Sequence, residues 1–149
     1  FQSRLVEGFR RKIGLSTMES DDVLLIKALL DTMQRAQADF TLTFRRLSDG
    51  AETGYQECRS LFAEPGAIDD WLGRWRQRLA REDGSPADRE RRMRAENPLY
   101  IPRNHRVEAV IEAAVERDDL GPFEELHAVL AKPFDEQPGR ELYTQPPAT

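Results

Sequence analysis

Asn97-Pro98-Leu99-Tyr100-Ile101-Pro102-Arg103-Asn104-His105 is the stretch on which the fold turns. Two prolines within five residues forbid helix across it, because each lacks an N–H and pushes its predecessor toward extended geometry. Leu99, Tyr100 and Ile101 are apolar, so the stretch predicts an ordered crossing over the body of the fold rather than a solvated linker. Asn104 is positioned to cap the helix that follows.

Upstream of this crossing the pattern is helical throughout. Ser85 at N-cap with Pro86 at N1 predicts a helix decorated by Arg89, Arg91, Arg92 and Arg94. Before it, residues 68–80 place Ile68, Leu72, Trp75 and Leu79 on one stripe with Trp71 beside it. Asp69 and Asp70 sit in the positive first turn, and Arg74, Arg76, Arg78 and Arg81 toward the end. Residues 55–63 read as a short helix stopped before Pro65-Gly66. Asp39 opens a helix through Leu47 with Phe40, Phe44 and Leu47 on one face. Thr41 and Thr43 alternating with Phe40, Leu42 and Phe44 also fit a strand, but no second strand lies nearby to pair with it. Ser20 or Asp21 is expected to cap a helix of Val23, Leu24, Leu25, Ile26, Ala28, Leu29, Leu30 and Met33, the most apolar element and so the central one, covered on more than one side. Residues 2–13 carry Leu5, Val6, Phe9 and Ile13 at helical spacing, with Gly14 as a left-handed C-cap.

Downstream, residues 107–116 predict a helix with Val107, Val110, Ile111, Ala114 and Val115 inward. Asp118-Asp119 and Pro122 punctuate it. Phe123, Leu126, Val129 and Leu130 define a last helix ending at Pro133. The chain is therefore all-α, with seven or eight helices and no strand. Residues 1–133 form the helical region, and residues 134–149 an extended surface tail pinned by Phe134 and Tyr143.

A chain of 149 residues suits one domain with a real core. The net charge of −5 argues against a general nucleic-acid binder. One cysteine, Cys58, excludes an internal disulfide and agrees with a reducing compartment. No apolar run is long enough for a membrane span, and no signal peptide is present.

Three blocks carry a resemblance. Asn97-Pro98, Tyr100-Ile101 and Arg103-Asn104-His105 lead into Val107-Glu108-Ala109-Val110-Ile111-Glu112-Ala113-Ala114. Arg11-Lys12-Ile13-Gly14-Leu15 precedes the apolar helix and Ala38-Asp39-Phe40-Thr41-Leu42-Thr43-Phe44-Arg45-Arg46-Leu47-Ser48. Leu130-Ala131-Lys132-Pro133-Phe134-Asp135-Glu136 is followed by Tyr143 and Pro146-Pro147. In this order they resemble the C-terminal part of the selenoprotein O family. The resemblance implies a protein-kinase-like parent that moves AMP from ATP, with Mg²⁺, onto protein hydroxyls. It implies that the catalytic and nucleotide residues lie upstream, so no catalytic residue is carried onto this chain. The expected partners are the upstream kinase-like lobe and the parent's protein substrates. The expected location is the cytoplasm for a bacterial parent and the mitochondrion for a eukaryotic one. The family's redox tail does not follow Thr149, and the first residue is Phe1, so a piece of a longer protein is expected.

Each remaining candidate has a structural explanation beside its chemical one. Residues 74–94 hold eight arginines against Glu82, Asp83, Asp88 and Glu90, which could form a phosphate or nucleic-acid surface with Trp71 and Trp75 stacking. Residues 107–149 hold ten acids against three basic residues, so pairing between the halves is the preferred reading. His105 and His127 lack metal-ligand spacing. The pairs Asp21-Asp22, Asp69-Asp70 and Asp118-Asp119 fit helix caps better than acid/base chemistry. Cys58 has no visible base to activate it. Arg103 and Asn104 are the residues to place against ATP phosphates or a protein substrate if any are; the preferred role is structural, with Arg103 bonding carboxylates or carbonyls in a packed loop. No metal ligand is assigned, and no glycine-rich phosphate loop is present. The expected function is a non-catalytic supporting region of an adenylyltransferase. The alternatives are a free-standing helical interaction module and an arginine-mediated nucleic-acid-binding domain.

Overall fold

The tryptophans of residues 66–79 anchor the core. In the computed structural model, which describes residues 2–50 and 53–148, this segment is the helix Gly66–Leu79. In chain order the helices are α1 (Gln2–Lys12), α2 (Asp22–Ala36), α3 (Phe40–Leu47), α4 (Thr53–Ser60), α5 (Gly66–Leu79), α6 (Pro86–Glu96), α7 (Asn104–Arg117) and α8 (Gly121–Leu130), with a short 3₁₀ turn at Glu141–Thr144. The described residues are all-α, as the periodicity predicted. No helix among them is long and apolar enough to cross a membrane. Phe1 and Thr149 lie outside the described residues, as do Ala51 and Glu52.

Backbone contacts divide the chain into two units, Phe1–Asn97 and Pro98–Thr149. In the first, α2 packs on α5, α3 on α4, α4 on α5, and α1 on both α2 and α6. Ile68, Trp71, Leu72 and Trp75 of α5 are fully buried, against Ile13, Leu15, Leu25, Leu29, Phe44, Leu47 and Phe62. Each such aliphatic side chain contributes about 1.5–3 kcal/mol on burial. The indole N–H groups are satisfied as well: Trp71 donates to the Leu25 carbonyl at 2.8 Å and Trp75 to the Ile13 carbonyl at 2.9 Å. These bonds fix α5 against both α2 and the end of α1.

Several local expectations hold in detail. Asp39 accepts from the Leu42 N–H at 2.8 Å, and Ser85 from the Asp88 N–H at 3.1 Å. Gly14 follows α1 at φ +85°, where a side chain is strained.

Other expectations are corrected. Neither Ser20 nor Asp21 caps α2: Asp21 is at the N-cap but makes no side-chain bond there. Instead Asp22 reaches back to accept from the Glu19 N–H at 2.9 Å. α2 is not covered on several sides, because Leu25, Ile26, Leu29 and Met33 form one buried stripe while Val23 and Leu24 remain about half exposed. Its apolar run is simply wider than the stripe that α1 and α5 cover. Leu5 of α1 and Phe40 of α3 also face outward. α4 ends at Ser60, earlier than expected, as Leu61 and Phe62 turn back to the carbonyls of Cys58 and Arg59.

In the second unit α7 packs on α8. Asn104 does not cap α7: Arg103 occupies the N-cap and Asn104 is the first helical residue. Only Val110 and Ala113 of α7 are buried, whereas Ile111 and Val115 point out. Asp118 adopts the left-handed conformation (φ 51°) as the C-cap of α7 rather than opening α8, and Asp119 accepts from the Gly121 N–H at 3.0 Å. α8 ends at Leu130, short of Pro133. Beyond Pro133, Gln137 is the anchor that residue type alone did not suggest. Its amide donates to the carbonyls of Val129 and Lys132, both at 3.0 Å, and its N–H donates to the Tyr100 hydroxyl at 3.1 Å. Phe134 is exposed.

Candidate functional site

The crossing stretch is ordered on both sides of the unit boundary. Asn97 is fully buried and closes the first unit. Its side-chain amide donates to the Lys12 carbonyl and the Ser48 hydroxyl, both at 2.9 Å, and its side-chain oxygen accepts from Lys12 Nζ at 3.3 Å. The Asn97 carbonyl accepts from Arg45 Nη1 at 3.0 Å. Arg45, itself buried, also reaches the Arg94 carbonyl at 3.4 Å, a cation placed on the negative end of α6. Lys12 lies over the rings of Phe44 and Phe40, and burial lowers its pKa against the raising pull of Glu96.

On the other side, the N–H groups of Leu99 and Tyr100 both donate to the Pro133 carbonyl, at 2.9 and 3.2 Å. Leu99 and Tyr100 are buried. Arg103 is buried and engaged with its surroundings, and its carbonyl accepts from the N–H groups of Arg106 and Val107 to start α7. Asn104, the neighbour named with it, is exposed. The two are thus not brought to one surface.

The strongest charged constellation lies elsewhere, around Arg78. Asp22 Oδ1 accepts from Arg78 Nε at 2.7 Å, Glu82 lies 2.9 Å from Nη1, and Glu19 lies 3.2 Å from it. The side chains of Arg78, Asp22 and Glu82 are each no more than 3% exposed. Arg78 also donates to the Thr17 carbonyl at 3.0 Å. Glu82 in turn is cradled by the loop after α1, accepting from the hydroxyls of Ser16 at 2.6 Å and Thr17 at 2.8 Å and from both their N–H groups. Burial pushes the Glu82 carboxyl up, but these bonds outweigh it and hold it at about 2. Asp22 follows the same balance: burial opposes ionisation, and the Arg78 bond and the Glu19 N–H overcome it, so its pKa is lowered. The Asp22 bond holds the Arg78 pKa up.

Composition missed this cluster because Arg78 reads as one of many arginines near the end of α5. Its position carried the signal. Residues 68, 71, 72, 75 and 78 follow the i, i+3, i+4, i+7, i+10 pattern of the buried stripe. Within residues 74–94, Arg81 pairs with Glu19, Arg91 with Asp88 and Arg94 with Asp49, all in the first unit. Trp71 and Trp75 stack on each other at 5.7 Å inside the core and are not available as platforms for bases.

The remaining candidates are separate. Asp69 is held by Arg59 at 2.6 Å and by the Tyr55 hydroxyl at 3.3 Å. Cys58 is fully buried, which pushes its thiol up to about 12. His105 is half-buried, whereas His127 is exposed and lies against Phe123. Among the described residues no three His, Cys, Asp or Glu side chains are grouped to hold a metal ion.

Comparison with known proteins places the chain in a family. The family described as protein adenylyltransferase SelO matches residues 1–131. The chain is 59% identical to the protein nucleotidyltransferase YdiU of Bradyrhizobium sp. (strain ORS 278) over 141 residues, which cover 94% of this chain and 29% of that protein. It is 59% identical over 143 residues to the YdiU protein of Rhodopseudomonas palustris (strain BisB18), and 50% identical over 149 residues to that of Rhizobium meliloti. The chain spans less than a third of the length of these relatives. With a family match across most of its residues, this chain belongs to the protein adenylyltransferase SelO family.

Proposed function

We propose that this chain is the C-terminal supporting part of a protein adenylyltransferase, bracing a kinase-like lobe that carries out AMP transfer from ATP to protein hydroxyls. The observation that carries the reading is the apolar surface of the first three helices. Leu5, Val23, Leu24 and Phe40 are each about half exposed, while α2 and α3 bury their opposite stripes. Exposed apolar side chains on the first three helices fit surfaces that another protein part covers.

The chemistry of the charged residues agrees. Among the described residues no three His, Cys, Asp or Glu side chains are grouped as Mg²⁺ would need. Asp22 and Glu82, the buried carboxylates of the first unit, are already bonded to Arg78 and to the Ser16–Thr17 loop. The supporting role assigns no catalytic step to this chain. Arg103 and Asn104 keep the structural role of starting α7.

The test is isothermal titration of ATP with Mg²⁺ into this chain and into a family-length protein that includes it, beside an assay of AMP transfer. Binding and transfer by the longer protein alone support the supporting role. ATP-dependent AMP transfer by the 149 residues would overturn it.

A further inference from the structure

The outward face of α7 in the second unit is more apolar than a solvated helix needs. Val110 and Ala113 are its buried residues, whereas Ile111 is 55% exposed and Val115 77%. Val107, half-buried, lies one turn before Ile111. The three recur every four residues, so they line up as one ridge along the helix. Local stability does not explain them. Valine and isoleucine are poorer helix formers than alanine, because the branched side chain loses rotamer freedom against the preceding turn. On a face left in water they weaken α7, and packing is what they are suited to.

Glu108, Glu112 and Glu116 follow the ridge one position on, and all three are exposed. An acidic ridge therefore runs parallel to the apolar one. Glu112 lies 4.0 Å from Arg117 with both side chains more than half exposed, a solvated pair that leaves the carboxylate open to another cation. The complement of this face is a segment with apolar and basic residues side by side. A second copy is a poor occupant, since a two-fold contact through α7 brings the same acidic ridge up against itself. A separate protein is a poor one too. A few half-exposed side chains fall well short of the roughly 800 Å² per partner that holds independent proteins together. A segment of the same polypeptide needs less, because it docks at an effective concentration on the order of millimolar. The Bradyrhizobium relative has ample chain to supply it, as this sequence matches 29% of that protein.

We propose that α7 docks a basic, apolar-faced segment of the family-length protein from outside these 149 residues, with Ile111 and Val115 under it and Glu108, Glu112 and Glu116 pairing with its cations. This rests on the supporting role proposed above, but it uses a different surface from that of the first three helices and names the chemistry of what covers it.

Hydroxyl-radical footprinting read by mass spectrometry tests this, on the 149-residue chain and on a family-length protein that includes it. Oxidation at Ile111 and Val115 should fall about fivefold or more in the longer protein, as water is excluded from the docked face. Leu24, 59% exposed on α2, reports the first-unit surface in the same samples. Replacing the exposed acids by Glu108→Lys together with Glu116→Lys should restore about half or more of the lost oxidation in the longer protein, because like charges now face each other. The same double variant should leave the circular dichroism of the 149-residue chain unchanged. Sodium chloride at about 0.5 M should weaken the protection in the same direction. Ile111 and Val115 unprotected while Leu24 is protected would overturn this proposal and leave the supporting role standing; no protection at either would overturn both. Protection that survives both charge reversal and salt would rule out a basic segment. Protection that appears in the 149-residue chain alone as its concentration rises would assign the face to a second copy and overturn the proposal.

Discussion

Replacing Glu82 with glutamine removes one charge and no volume, and its effect should depend on pH in a way that the geometry fixes. In the folded chain this carboxylate accepts four hydrogen bonds from Ser16 and Thr17 and lies 2.9 Å from Arg78. Glutamine keeps one acceptor oxygen but turns an NH₂ group toward donors that need an acceptor. A carboxyl held at about 2 rather than its ordinary 4.5 corresponds to about 3 kcal/mol of folding free energy at neutral pH, at about 1.4 kcal/mol per tenfold change in proton affinity. The folded-state value is the lower one, so the stabilisation is fully present above about 4.5 and is lost as the pH falls toward about 2.

Urea unfolding followed by the fluorescence of Trp71 and Trp75, which lie on the same helix as Arg78, reads this directly. Glu82→Gln should cost about 2–3 kcal/mol at pH 7. The gap to the unsubstituted chain should narrow through pH 4 and 3 and close near pH 2. Asp22 loses its own stabilisation over an acidic range too, but does so in both proteins, so the difference between them isolates Glu82. A gap of the same size at pH 7 and pH 2.5 would show that the loss is one of packing, and the electrostatic reasoning would fail.

Other substitutions probe the same framework. Arg78→Met should destabilise by about 3–5 kcal/mol, because Asp22 is left buried without its cation. Adding Asp22→Leu should recover much of that loss in the same urea assay, and a double variant as unstable as the single one would contradict the account. Asn97→Ala strands the Lys12 carbonyl and the Ser48 hydroxyl in the interior and should cost about 2–3 kcal/mol by thermal or urea unfolding. Gly14→Ala should cost about 1–3 kcal/mol by the same measurements, since a Cβ at φ +85° would stand 2.9 Å from Met93 Sδ. Cys58, buried and held at about 12, should resist iodoacetamide at pH 8 until urea unfolds the chain. Rapid labelling of the native protein would refute its burial.

Helix positions were legible in the sequence because capping and periodicity are local. Asp39 and Ser85 cap as their types suggest, Gly14 takes the left-handed turn, and the stripe from Ile68 to Leu79 faces inward. What local chemistry could not decide was which of several competing polar residues would be buried. Asp21 and Asp22 are equally good caps by type, yet Asp22 is drawn away because Arg78 approaches it from fifty-six residues further along the chain. Asn104 is a better cap than Arg103 by type, but the Pro98–Pro102 segment sets where helical geometry begins and leaves Arg103 at the boundary.

Charge followed the same logic. Within the first unit the structure pairs Arg78, Arg81 and Arg94 with Glu19, Asp22, Glu82 and Asp49. Counting charges treats every arginine alike, but desolvation separates them. Arg78 sits on a buried stripe where an unpaired cation is expensive, so the fold supplies acids from two neighbouring segments. Which cation must be matched inside the chain depends on three-dimensional placement, and that is the level at which this sequence sets Arg78 apart from its solvated arginines.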